Sequence, residues 1–239
     1  VISWAWLGGG SNVGTPSGFN STTSVTNSNG VAYITFTPST VVGDTFRVRA
    51  QSGGASDISG TITVTAGTIV SYFVVAPAST SQVAGTPFSL SVTAYDANNN
   101  KMTGYNGTRT FSFAGPGTAP NGTAPLYEAI QGSGAATNYT FVSGVATVYA
   151  KLHKAQITTI TVIDSVVPTA FATTAAITVA PGALHHYDIA APGGPFTTND
   201  TFYVTVTPLD SYGNITNGHN SVTMTRTEIS GGTIPGTLG

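Results

Sequence analysis

The feature that most constrains this chain is that it repeats itself. Ile62-Thr63-Val64-Thr65-Ala66-Gly67 returns as Ile177-Thr178-Val179-Ala180-Pro181-Gly182. Phe88, Leu90, Val92 and Asp96 align with Phe202, Val204, Val206 and Asp210, and Tyr72 and Pro77 fall opposite Tyr187 and Pro192. Upstream, Gly30-Val31-Ala32 matches Gly144-Val145-Ala146, and Thr45-Phe46-Arg47-Val48 matches Thr159-Ile160-Thr161-Val162. The offset stays near 114 residues throughout. A steady offset of this kind marks a tandem array rather than one domain. The frame is a complete repeat over 68–182, the later part of a repeat over 1–67 and the early part of a third over 183–239.

Within the repeat the pattern is that of strands. Ala32–Thr37, Thr45–Ala50, Thr61–Thr65, Phe88–Ala94, Thr159–Val162 and Phe202–Thr207 alternate apolar residues with Thr, Ser or Arg. Period 2 sends the two sets to opposite faces of a sheet. Clusters such as Ser28-Asn29-Gly30, Gly53-Gly54, Ala97-Asn98-Asn99-Asn100 and Tyr212-Gly213-Asn214 read as turns between them. One helical turn is conceivable, over Pro125–Ile130. The expected fold is all-β: tandem sandwiches, one complete and two partial. A partial sandwich exposes an apolar inner face and an open strand edge. The expectation is therefore that the end segments are completed by adjoining repeats of a longer chain, or by copies of the same chain in head-to-tail strand complementation.

The bulk composition narrows function by exclusion. Charged residues make up 7% and the formal net charge is −2, so no basic stripe exists to draw nucleic acid. No apolar run approaches the roughly 20 residues of a membrane-spanning helix, and the short apolar start Val1–Leu7 lacks the basic flank of a signal peptide. Absence of cysteine removes disulfides and thiolate chemistry. No acid pair is spaced for general acid–base work, and no nucleophile elbow or phosphate-cradling glycine loop occurs. His185-His186 would point to opposite faces of a strand, which argues against one shared metal. Lys151 or Lys154 would have to be buried to form an isopeptide staple. The sequence calls for no catalytic residue, no metal and no cofactor.

Three features carry recognition hypotheses. Asp96 with Asn100, and Asp210 with Asn214, stand at equivalent positions after a strand; the Asp carboxylate is suited to accept amides within a tight turn. One local carboxylate is too few for calcium. Sequons stand at Asn20, Asn106, Asn121, Asn138, Asn199 and Asn214, acceptors if the host glycosylates. Trp4 and Trp6 share a strand face and either pack into the first sandwich or form a sugar-stacking platform. A long irregular segment follows the third strand of each repeat, at 8–28, 114–138 and 229–239. It is read as a lateral contact, a glycan-bearing surface or a mobile insertion.

Together the motifs resemble bacterial immunoglobulin-like repeats of the invasin, intimin and giant surface-protein type. The resemblance rests on Gly85-Thr86-Pro87-Phe88 leading into Ser91–Asp96, on Asp210-Ser211-Tyr212-Gly213-Asn214, on Asn29–Phe36 and Gly43–Ala50, and on the repeat-ending Ile62–Gly67. It implies immunoglobulin-like sandwiches in an extracellular, cell-surface protein without catalysis: a filament, stalk or surface-layer segment that contacts itself, and glycans as further partners. An adhesin arm binding a host or carbohydrate ligand, and a non-catalytic spacer of a secreted enzyme, are the alternatives.

Overall fold

The computed structural model describes residues 1–8, 18–197, 199–217, 221–223 and 225. The tail 229–239, His219 and residues 9–17 of the first irregular segment lie outside the described residues.

Strands account for all the regular structure described, in chain order. The first segment holds β1 (Ile2–Gly8), β2 (Gly18–Phe19), β3 (Thr23–Ser24), β4 (Phe36–Thr37), β5 (Thr45–Ser52), β6 (Ala55–Ile58) and β7 (Ile62–Thr63). One sheet runs β3-β1-β5-β6 with β7 also on β5, and β2 pairs β4. Trp6, Phe19, Phe36 and Phe46 form its interior, with Trp6 stacked on Phe19 at 4.2 Å and edge-on to the other two rings.

The central repeat forms a two-layer β-sandwich. It holds β8 (Tyr72–Pro77), β9 (Ser81–Val83), β10 (Pro87–Tyr95), β11 (Gly107–Ala114), β12 (Leu126–Glu128), β13 (Asn138–Phe141), β14 (Val145–Lys151), β15 (Gln156–Thr158), β16 (Thr161–Asp164), β17 (Phe171–Thr173) and β18 (Ile177–Ala180). One sheet is β12-β14-β10-β8; the facing layer is β13-β11-β16-β17, continued by β15-β18-β9. Strand β9 joins the second layer parallel to β18, so the edge of the central repeat that starts as β8 crosses from one sheet to the other. This order is that of an immunoglobulin-like sandwich. The inward set Phe73, Val75, Leu90, Val92, Phe111, Tyr139, Phe141, Val148, Ile160, Val162 and Ile177 is buried between the layers. Burial at about 25 cal/mol per Å² of apolar surface supplies the stability of the fold.

The described residues of the third segment hold a hairpin, β19 (His186–Ala190) on β20 (Thr205–Leu209). Its ladder pairs His186 with Leu209, as Tyr72 pairs with Tyr95. Tyr187 is therefore the counterpart of Phe73, not of Tyr72. The tyrosine identity misled the alignment, because the linker after Gly182 is one residue shorter than that after Gly67, and one residue changes the face.

Three other expectations are corrected. Residues 126–128 are a strand on β14 and not a helical turn; Glu128 then closes the following turn by accepting the Gly132 and Gly134 amides, which hold its carboxyl below the ordinary value. The Thr159–Val162 strand is broken, with β15 ending at Thr158 and β16 starting at Thr161. Ala32–Thr37 and Phe202–Thr207 are only partly laddered, to Phe36–Thr37 and to Thr205–Leu209. Alternation supplies the strand face, but a ladder needs a neighbour, and 32–35 and 202–204 have no paired strand among the described residues.

Candidate functional site

The two Asp–x–x–x–Asn turns are the joints between repeats. In each, the carboxylate closes its own turn: Asp96 Oδ1 accepts the Asn98 and Asn100 amides at 2.9 Å, and Asp210 Oδ1 accepts those of Tyr212 and Asn214 at 2.8 and 2.9 Å. The turn needs a left-handed residue, supplied by Asn99 (φ 64°) in one and Gly213 (φ 80°) in the other. The second carboxylate oxygen reaches out of the turn to the inter-repeat linker. Gly67 N–H donates to Asp96 Oδ2 at 3.0 Å, and Gly182 N–H to Asp210 Oδ2 at 2.8 Å.

The asparagine completes the joint by bonding the preceding repeat. Asn100 Nδ2 donates to the Thr40 carbonyl (2.7 Å) while its Oδ1 accepts the Val42 amide (3.3 Å). Asn214 Nδ2 donates to the His153 carbonyl and its Oδ1 accepts the Ala155 amide, both at 2.8 Å. Each Nδ2 also donates to its own turn's Asp Oδ2. A single Asp–Asn pair thus ties three backbones together: its own turn, the linker, and the loop between the two strands β4 and β5, or β14 and β15, of the repeat before.

Electrostatics follow this geometry. The Gly67 and Asn100 amides hold the Asp96 carboxyl at about 2, against an ordinary 3.8. Burial pushes the Asp210 carboxyl up, but the bonds from Asn214, Gly182 and Tyr212 outweigh it and leave it below the ordinary value. Both stay ionised, and charged acceptors make the stronger hydrogen bonds.

The second joint carries contacts the first does not. The Tyr212 ring lies 4.7 Å from that of His153, whose Nδ1 is 2.8 Å from the Ala124 carbonyl. Burial lowers the His153 pKa, favouring the neutral ring. Tyr212 also covers Gly85, where a Cβ would come within 2.5 Å of ring carbon Cε2. The irregular segment of the central repeat joins in: Asn121 donates through its amide and its Nδ2 to the carbonyls of Tyr212 and Ser211. Sequence reading missed these partners. Toward the two asparagines, Thr40, Val42, His153 and Ala155 act through backbone atoms, so no residue type signals these bonds.

The other candidates are placed as follows. Asn20, Asn106, Asn121, Asn138 and Asn199 are exposed. Asn214 is buried with both ends of its amide engaged, so its sequon does not present an acceptor nitrogen. Trp6 belongs to the interior aromatic cluster, and Trp4 donates its indole N–H to Ser24. Both are half-buried, and no open two-ring platform forms. His185 and His186 do not diverge: His185 precedes the strand, and the two Nδ1 atoms are 3.0 Å apart on the surface. No group of three metal-ligating side chains occurs among the described residues, and no described helix is long and apolar enough to cross a membrane.

No protein-family model matches this chain, and no curated protein does. Solved structures resemble it at low identity. The Escherichia coli adhesin FdeC is 21% identical over 90% of this chain and 64% of its own, with a TM-score of 0.47. Domains 1–6 of the surface layer protein SbsC are 20% identical over 90% of this chain and 24% of their own, TM-score 0.31. A β-glycosidase from Bacteroides vulgatus is 15% identical over 63% of this chain and 19% of its own, TM-score 0.38. The chain thus spans less than two thirds of each. These neighbours include a bacterial adhesin and a surface layer protein; the fold assignment rests on the strand order above.

Proposed function

We propose that this chain is a non-catalytic, load-bearing segment of an extracellular surface structure, a filament, stalk or surface layer made of immunoglobulin-like repeats held in line by fixed joints. The observation that carries the reading is the recurrence of the joint. The same carboxylate, the same linker glycine and the same asparagine bond to the preceding repeat appear at both junctions. A flexible string of domains has no use for a buried ionised Asp at each linker, whereas a rod that must keep its angle under load does. The low charge and abundant Thr and Asn suit a surface that packs against copies of itself or carries glycan at the exposed sequons.

Spin labels test this directly, since a chain without cysteine accepts them at chosen positions. Labels at Ser56 and Ser112 span the first joint, and labels at Ser112 and Thr205 span the second; all three residues are exposed. Double electron–electron resonance is expected to give one narrow distance distribution for each pair, broadened across the first joint by Asp96→Ala and across the second by Asp210→Ala. Broad distributions in the unsubstituted joints would overturn the rod.

A further inference from the structure

Two imidazole nitrogens face each other where the third segment begins. His185 Nδ1 and His186 Nδ1 lie 3.0 Å apart, and the rings stand nearly perpendicular, at 88° with centroids 5.2 Å apart. Both side chains are exposed. Neighbouring residues within a strand send their side chains to opposite faces. His185 escapes that rule because β19 starts only at His186. Both backbones are fixed on one partner. The His185 amide donates to the Leu209 carbonyl at 2.8 Å, and His186 is the ladder partner of Leu209. A ligand that bridges the two rings therefore has only side-chain torsions to order.

The pair is no part of the repeat's frame. Strand pairing makes Tyr72 the counterpart of His186, and hence Ser71 that of His185. In the central sandwich Ser71 is exposed and Tyr72 half-buried, at the start of the edge strand β8. These positions thus stay open to solvent where the other strands of a repeat are present. Further chain completing the third repeat on the same plan would leave the two rings accessible.

We propose that His185 and His186 form a two-imidazole chelate for a divalent transition-metal ion of the Cu2+ type, each ring giving its Nδ1. Two facing ring nitrogens make a hydrogen bond when one carries the proton. They make a chelate when both protons sit on Nε2 and both Nδ1 lone pairs are free. The spacing suits the chelate. With metal–nitrogen bonds of about 2.0–2.1 Å, ligands at a right angle lie about 2.9 Å apart and ligands at the tetrahedral angle about 3.3 Å. The observed 3.0 Å is nearer the right angle, which belongs to the square-planar and tetragonal sites of Cu2+ and Ni2+. Affinity for nitrogen ligands peaks at Cu2+ along the first-row series. Ca2+ and Mg2+ take oxygen ligands and do not suit the pair. No group of three His, Cys, Asp or Glu side chains is gathered for a metal among the described residues, so the remaining positions on the ion fall to water. The inference goes beyond the rod reading and does not need it: a flexible joint would leave the chelate intact.

Titration with CuCl2 in a non-chelating buffer at neutral pH tests the site. The chain is expected to take up one Cu2+ at micromolar concentration, and electron spin-echo modulation should show two equatorial imidazoles on it. His185→Ser and His186→Tyr install the residues that the central repeat carries at these positions, so circular dichroism should report an unchanged fold. Each should weaken Cu2+ binding at least tenfold and leave a one-imidazole signal. His219→Ala, outside the pair, should change the affinity less than twofold, and excess CaCl2 should not displace the ion. Absence of binding at micromolar Cu2+, or a one-imidazole signal in the unsubstituted chain, would overturn the proposal. So would affinity kept within twofold by either pair variant, which would mark an adventitious ion only.

Discussion

The two joints share one design and differ in how completely it is enclosed. At the first, Asn100 is half-exposed and the residue facing outward from the turn, Asn98, has no ring to contribute. At the second, Asn214 is buried, Tyr212 stands in the position of Asn98 against Gly85, His153 and Asn121, and Pro120 lies against Gly213. The common part is local: a carboxylate, a linker amide and a loop backbone. The difference is tertiary. Gly85 lies in the turn between β9 and β10, and the first segment has no such turn among its described residues. At the second joint that turn supplies the floor on which the Tyr212 ring lies.

The comparison can be broken most strongly at Asp210. Asp210→Ala strands the Gly182, Tyr212 and Asn214 amides in a buried setting, at about 1–3 kcal/mol for each that finds no water. The expected loss is about 3 kcal/mol in urea unfolding of the joint, with amide exchange at Gly182 rising in step. A loss below 1 kcal/mol would mean that water replaces the carboxylate. Gly85→Ala comes next. Its φ of 79° is unfavourable for a side chain, and the new Cβ meets the Tyr212 ring. The expected cost is about 2 kcal/mol, together with loss of the Tyr212–His153 contact in NMR spectra. No change at the first joint should accompany it.

Acid offers a graded test. Asp96 has a folded value of about 2 against an ordinary 3.8, so its contribution is present above pH 4 and lost as the pH falls from about 4 to below about 2. Asp210 is depressed in the same direction. Amide exchange at Gly67 and Gly182 should accelerate, beyond the intrinsic rate, only in that acid window. Acceleration already at pH 5 would contradict the depressed carboxyls. The smallest effect is expected from Asn98→Tyr, which gives the first joint the ring of the second without the glycine floor. Its stability should change by less than about 0.5 kcal/mol. A larger gain would show that the ring alone closes a joint.

Much of the architecture was legible in the chain itself. Strands announce themselves by period 2, and a repeat by identity at a constant offset, because both depend on residues near in sequence or on copying. The Asp–x–x–x–Asn turn was legible for the same reason, since Asp96 closes on its own Asn98 and Asn100. Its second task was not. The partners of Asn100 and Asn214 are carbonyls and amides of Thr40, Val42, His153 and Ala155, and a backbone group carries no signature. Asn214 shows the reverse error: a sequon is a three-residue pattern, and nothing in it distinguishes a surface asparagine from one whose nitrogen is committed to His153.

The sequence by itself determined the all-β sandwich class and the faces of its strands, because side-chain alternation is a local property. Only the tertiary structure decided that the two Asp–x–x–x–Asn turns bond across to the linker and to the segment before, and that, among the described residues, the second is more enclosed than the first. Those facts depend on which backbone groups lie across a gap from one another, and that is set by the packing of whole sheets rather than by any residue type.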